Sequence, residues 1–139
     1  CHFSEVIFYK INLIGINWSE ALQKNKSLIQ RKPFDFTQCA LNHSVFFGLN
    51  LKAVTFLECS LTNVNFEEAN LSQANCAKSD FKQAHFKHTN LTETNFVTAT
   101  NYSINPQANT LKKTRFALPE AISLLYNLDI VLEDALYSE

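Results

Sequence analysis

The sequence predicts an all-β solenoid: a four-sided β-helix with five residues to a side, closed at its C-terminal end by a helix. Three observations predict it. Large apolar residues recur at every fifth position, they fall into columns twenty residues apart, and the chain carries only 2 Gly beside 12 Phe. A fold of ordinary hairpins needs glycine in its turns, so the turns here are made in another way.

The period comes first. Steps of five from Phe36 give Phe36, Leu41, Phe46, Leu51, Phe56, Leu61, Phe66, Leu71, Cys76, Phe81, Phe86, Leu91 and Phe96, and twelve of these thirteen are Phe or Leu. Two residues before each centre the side chain is mostly small, as at Cys39, Ser44, Val54, Ala69, Ser79, Thr94 and Ala99, with Phe34 and Leu49 as larger exceptions. The residue just before the centre is often Asn or Asp, and the remaining two are mainly polar. Neither the helical period of 3.6 nor the strand period of 2 explains this. A short extended piece followed by a bend does, with the small and large residues inward and the other three outward. Four bends close a square, and coils stack at about 4.8 Å. The columns agree: Phe36, Phe56, Cys76 and Phe96 oppose Phe46, Phe66 and Phe86, while Leu41, Leu61 and Phe81 oppose Leu51, Leu71 and Leu91.

The motif, as in Ala69-Asn70-Leu71-Ser72-Gln73 followed by Ala74-Asn75-Cys76-Ala77-Lys78, resembles the pentapeptide-repeat family over a continuous stretch from Phe34 to Ser103. The resemblance implies a right-handed quadrilateral β-helix. It is specific for fold and says little of function, because one fold hosts many roles.

The chain reads as a single domain in four parts. Residues 1–18 carry the motif in a shifted register, centred on Phe3, Phe8, Leu13 and Trp18, and form a first coil. Residues 19–33 are an irregular insertion that replaces most of a coil, with a helical turn at Ser19–Leu22 and the most basic stretch of the chain (Lys24, Lys26, Arg31, Lys32). Residues 34–103 are continuous repeats, stopping after Tyr102. Residues 104–139 are a cap: Pro119 suits a first helical turn, and Ala121, Leu124, Leu125 and Leu128 follow at helical spacing. The helix is expected over Leu118–Asn127, with Ile130-Val131-Leu132 after it as an edge strand or dimer contact. Such a cap covers the unpaired backbone at the end of a solenoid. The resemblance implies a homodimer paired through this segment, with Ile122, Leu124, Leu125, Leu128, Ile130 and Leu132 as candidate cap or dimer residues.

Outward columns can be read in the same way. Thr37, Leu57, Ala77 and Val97 form one, and Leu57, Ala77 and Val97 would make an exposed apolar stripe, with Phe47 exposed on another side; these four are the candidate partner surface. Asn50, Asn70 and Asn90 would stack as an amide ladder, and Asn75 and Asn95 as a second. Glu67 above Lys87, and Glu58 above Lys78, are opposite charges on neighbouring coils, each pair worth a few tenths of a kcal/mol.

No chemistry-bearing constellation appears. Cys39 and Cys59 stack with parallel side chains, a poor disulfide geometry, and Cys76 replaces a core Phe; all three read as buried thiols in a reducing compartment. No Cys/His spacing suits zinc, and His43, His85 and His88 point outward. There is no phosphate loop and no hydrolase or metalloprotease motif, so no catalytic residue, metal or cofactor is expected. A net charge of −1 gives no field for nucleic acid or an anionic membrane, and no apolar run spans a bilayer. No signal peptide is legible, which predicts a cytoplasmic protein; the pattern already running at Cys1 predicts that the natural chain begins earlier.

Two functions follow as expectations. The first is a non-catalytic interaction or scaffold module that binds another protein through its faces. The alternative comes from the resemblance: some pentapeptide proteins protect DNA gyrase and topoisomerase IV from quinolones by imitating duplex DNA. Repeats 34–103 carry six acidic against four basic residues, a weak match to a charge every ~1.7 Å of duplex axis.

Overall fold

The computed structural model describes residues 7–23, 34–118, 120–128 and 130–131. Three short strands, β1 (Ile7–Tyr9), β2 (Asp35–Thr37) and β3 (Thr55–Leu57), form a parallel sheet in the order β1-β2-β3. The register places Phe8 on Phe36 and Phe36 on Phe56. Single parallel bridges continue the ladder on the other sides: Ala40, Ser60, Asp80 and Thr100; Val45, Asn65 and His85; Asn50, Asn70, Asn90 and Thr110. Bridges lie five residues apart along the chain and pair across twenty. That combination is a solenoid with four sides to a turn.

Corners answer the scarcity of glycine. The second residue after each regular centre has positive φ: among the described residues fourteen non-glycine residues do so, from Lys10 to Lys113, beside Gly15 and Gly48. Where the corner closes, the N–H three residues after the centre donates to the centre carbonyl, as Val54 to Leu51 at 3.1 Å and Ala74 to Leu71 at 3.0 Å. A β-turn with its third residue left-handed is the type II pattern. Left-handed backbone costs an L-residue roughly 1–2 kcal/mol, so local compensation is needed. The Asn or Asp before each centre supplies part of it: its Oδ1 accepts the N–H two residues on, as in Asn65 to Glu67 (2.8 Å), Asn70 to Ser72 (3.0 Å) and Asn95 to Val97 (2.9 Å).

Inside, the expected columns are present. Phe46, Phe66 and Phe86 stack at 5.4 Å per step, and Trp18 lies parallel on Phe46 at 5.8 Å. Phe8, Phe36 and Phe56 form the facing stack at 5.0 and 5.2 Å, and facing rings meet edge to face, Phe56 against Phe66 at 5.7 Å. Cys76 interrupts that column. Phe81, in a column otherwise of leucine, brings its ring to 6.3 Å from Phe66 and 5.5 Å from Phe96, so it takes up part of the space that Cys76 leaves.

The small inward positions that are polar have a shared solution. Ser79, Thr89 and Thr94 are fully buried, and their hydroxyls donate to the centre carbonyl of the coil above: Ser79 to Phe56 (2.6 Å), Thr89 to Phe66 (2.8 Å) and Thr94 to Leu71 (2.6 Å). Cys59 Sγ does the same to Phe36 at 3.1 Å. Burial pushes the Cys59 thiol up to about 12 and raises Cys76 as well. Both thiols, with Cys39, are free and buried.

Three expectations need correction. First, no coil is replaced between Trp18 and Phe36. β1 pairs directly with β2 across twenty-eight residues, so the insertion adds about eight residues to one side of the first coil. The helical turn is present as α1 (Trp18–Gln23), and residues 24–33 lie outside the described residues. Second, the repeats do not stop after Tyr102. Thr110 and Arg115 bridge to Asn90 and Asn95, Phe116 stacks on Phe96 at 5.5 Å, and Thr114 Oγ1 donates to Leu91 O at 2.6 Å. Third, the helix expected over Leu118–Asn127 is a 3₁₀ helix, Glu120–Asn127. Three residues per turn line Ala121 up with Leu124, and Leu124 packs against the core. Ile122 and Leu125, also three apart, are rotated toward solvent at 38% and 39% exposure.

Candidate interaction surface

The interior is filled, so any site lies on the outer faces. Leu57, Ala77 and Val97 stand one above another below Thr37, as their spacing requires, but each is half-buried. Flanking rungs approach closely enough to cover most of a side chain in mid-stack. Phe47 is 42% exposed. The register adds Tyr9 at the head of the Leu57 column, since Tyr9 pairs with Thr37. Ile7, Tyr9, Ile11 and Ile14 of the first coil are exposed by 42–63%, and the Lys10 ammonium lies 5.2 Å from the Tyr9 ring. The sequence held this signal: Tyr9 follows the centre Phe8 as Leu57 follows Phe56.

Of the candidate cap or dimer residues, Leu124 meets the core, Leu128 is half-buried, Ile130 is half exposed, and Leu132 lies outside the described residues. Leu118, Tyr126 and Val131 join Ile122, Leu125 and Ile130 as exposed apolar residues at this end. The segment is tied to the last coil: Ser123 Oγ donates to Tyr102 O at 3.1 Å, and Asn101 N–H to Glu120 Oε2 at 3.4 Å. Burial, with the Glu120 charge nearby, pushes the Tyr102 phenol up to about 12.

The expected amide ladder is narrower than its spacing suggests. All five amides accept a corner N–H on Oδ1, and among the described residues only Asn70 Nδ2 also donates along the stack, to Asn50 Oδ1 at 3.3 Å. Glu58 accepts from Gln38 Nε2 at 3.3 Å, and Glu93 from Gln73 Nε2 at 3.1 Å.

One level of the coil departs from the rest. Between Thr100 and Ala108 the chain leaves the ladder below Phe81–Lys87. Asn101 and Pro106 stand where Phe or Leu should point inward, and Tyr102 and Ile104 fill the interior instead, both fully buried. A shallow open groove of about 450 Å³ results, lined by Asn63, Glu67, Gln83, Ala84, His85, Phe86, Ser103 and Asn105. It was not legible as a groove in the sequence, although Asn101 and Pro106 break the pattern at its place. His43, His85 and His88 are exposed as expected. Among the described residues no group of three or more His, Cys, Asp or Glu is placed to hold a metal, and no helix is long and apolar enough to cross a membrane.

Comparison with known proteins bears on the architecture. Residues 31–96 match the family model described as a pentapeptide repeat region. Among solved structures the chain is similar to HetL, a pentapeptide repeat protein involved in heterocyst differentiation regulation from the cyanobacterium Nostoc sp. strain PCC 7120, at 19% identity and a TM-score of 0.54 over 81% of this chain. It is also similar to a thylakoid-lumen pentapeptide repeat protein of Arabidopsis thaliana, at 21% identity and a TM-score of 0.43 over 76% of this chain. QnrB1, a plasmid-mediated fluoroquinolone resistance protein, matches at 12% identity and a TM-score of 0.29, over 94% of this chain and all of that one. The chain spans 42% of the length of HetL and 61% of the Arabidopsis protein. At such identities the likeness to HetL is one of fold. No curated protein matches the sequence.

Proposed function

We propose that this chain, whose residues 31–96 match the model of a pentapeptide repeat region, is a non-catalytic scaffold of the pentapeptide-repeat family that binds another protein through its outer surface. In this reading the coil winds right-handed, the sense favoured when parallel strands follow one another. The 3₁₀ helix Glu120–Asn127 and the residues after it act as the C-terminal cap. The supporting observation is a contrast. Phe36, Phe46, Phe56, Phe66, Phe81 and Phe96 are fully buried and fill the interior of the described coils, while Ile7, Tyr9 and Phe47 stay exposed. Burying apolar surface against a partner is what such residues offer.

The exposed apolar residues of the C-terminal end extend the reading to a homodimer formed there, with Ile122, Leu125 and Ile130 in the contact. Imitation of DNA gains no support. Lys78, Lys82 and Lys87 stand on the lower coils, with Lys112, Lys113 and Arg115 below them, and an imitator of duplex DNA needs acid there.

The test is quantitative affinity purification with wild type, Phe47→Glu and Leu57→Glu, each variant checked for unchanged melting. A stoichiometric partner lost from either variant is the expected result. Retention of the same partner by both would remove these faces from the account. Sedimentation of wild type against Leu125→Glu reads the dimer: a dimer converted to monomer is expected, and a wild-type monomer at micromolar concentration would contradict it.

A further inference from the structure

We propose that the groove below Gln83–Phe86 is a β-addition site that takes an extended polypeptide segment of a partner protein, running parallel to the coil. The proposal rests on the scaffold reading and gives it a specific partner chemistry. In the regular ladder each coil hands hydrogen bonds to the next in a fixed pattern. One coil above, the Asn63 N–H donates to Lys82 O at 3.0 Å, His85 N–H donates to Val64 O at 2.9 Å, and Phe66 N–H donates to His85 O at 2.9 Å. The equivalent groups on the lower edge are the Gln83 N–H, the Ala84 carbonyl and the Phe86 N–H. Among the described residues none of these three has a hydrogen-bond partner. On both flanks the ladder is intact: Phe81 N–H donates to Thr100 O at 3.0 Å, and His88 N–H donates to Ala108 O at 2.7 Å. The gap is therefore a framed window of one donor, one acceptor and one donor at strand spacing, opening into the groove.

An unpaired strand edge is a template for another strand, and main-chain bonds supply the affinity in such complexes. What fits is a segment offering carbonyl, N–H and carbonyl in the order that residues 82–85 offer them to the coil above. A rigid small molecule does not reproduce that spacing. The groove is lined by polar Asn63, Gln83, His85, Ser103 and Asn105 beside apolar Ala84 and Phe86, and Glu67 carries the one carboxylate among them. An extended peptide with small side chains, polar on one face and apolar on the other, meets this mixed lining. Ser103 is exposed, so a large residue there fills the groove without entering the core.

The test uses the full chain, amide hydrogen exchange, and a phage-displayed library of random dodecapeptides as probe. Free protein should exchange the Gln83 and Phe86 amides at least about tenfold faster than those of Asn63 and Phe66 one coil above. Selected peptides should shift and protect both amides. Ser103→Trp should abolish that binding while Leu57→Glu leaves it intact. Slow exchange of both amides in the free chain would overturn the proposal: independent of concentration it would mean that the chain covers its own edge, and dependent on concentration that a second copy does. Peptides that map elsewhere, or none recovered, would also overturn it. Loss of a natural partner from Phe47→Glu but not from Ser103→Trp would leave the scaffold reading standing while this site falls.

Discussion

The coils between Phe34 and Thr98 and the level just below them, Asn101–Asn109, are built from the same number of residues per turn and behave differently. In the upper coils every rung but Gln83–Phe86, which lies directly above the break, passes hydrogen bonds to the next, every corner has a left-handed residue, and every large centre is buried. In the lower level the side below His85 loses the ladder, which resumes at Ala108 and Thr110. Backbone length is not what failed, since Phe116 still lies under Phe96. Side chains at two centres changed, to Asn101 and Pro106. The comparison teaches that this solenoid is held in register by its inward residues, and that the ladder follows them.

If so, damage should scale with position in the stack. Phe66→Ala, with rings above, below and across, should cost about 3–5 kcal/mol, whereas Phe116→Ala at the half-buried end should cost about half as much or less; urea melts of the two variants compare them. Equal losses would break the contrast between interior and end. The next largest effect concerns the buried hydroxyls. Ser79→Ala strips a donor from Phe56 O and an acceptor from Cys59 N–H, and should cost about 2 kcal/mol. Thr114→Val, where the site is only half-buried, should cost about 1 kcal/mol or less by the same measurement.

The pH dependence sharpens the same point. Cys59 and Tyr102 are both pushed up to about 12 by burial, and Cys76 is raised too. An acid whose folded pKa is raised stays protonated in the folded chain while the unfolded chain ionises. Its contribution to stability is therefore whole below about pH 9 for the thiols and pH 10 for the phenol, and is lost as pH rises toward 12. Melting temperature should hold from neutrality to about pH 9 and then fall, and Cys76→Ala should soften that fall. The smallest effects belong to the corners. Ala53 sits at φ 63 and Gly48 at φ 68. Ala53→Gly should raise stability by about 0.5 kcal/mol and Gly48→Ala should lower it by about 1 kcal/mol, because an added Cβ penalises left-handed backbone; thermal melts resolve both signs.

What was legible in the sequence follows from which forces act at fixed spacing. Phe46, Phe66 and Phe86 could be stacked in advance because burial depends on side-chain period alone. The donors at Ser79 and Thr94 occupy the small inward position, but their acceptors appear only once the coils are stacked. Leu111 and Phe116 stand twenty residues after Leu91 and Phe96 and carried the signal that the coil resumes; the interruption at Asn101 and Pro106 hid it. The exposure of Leu57 was overestimated because spacing tells direction and not how far neighbouring rungs cover a side chain. The groove was beyond reach for a different reason: it is an absence of pairing, created by where Tyr102 and Ile104 go.

The most direct measurement is ring-to-ring contact along one column. With phenylalanine labelled selectively, nuclear Overhauser effects should connect Phe46 to Phe66 and Phe66 to Phe86, and none should connect Phe46 to Phe86 directly. Missing contacts between neighbours twenty residues apart, or strong contacts at any other interval down the column, would contradict the four-sided stack.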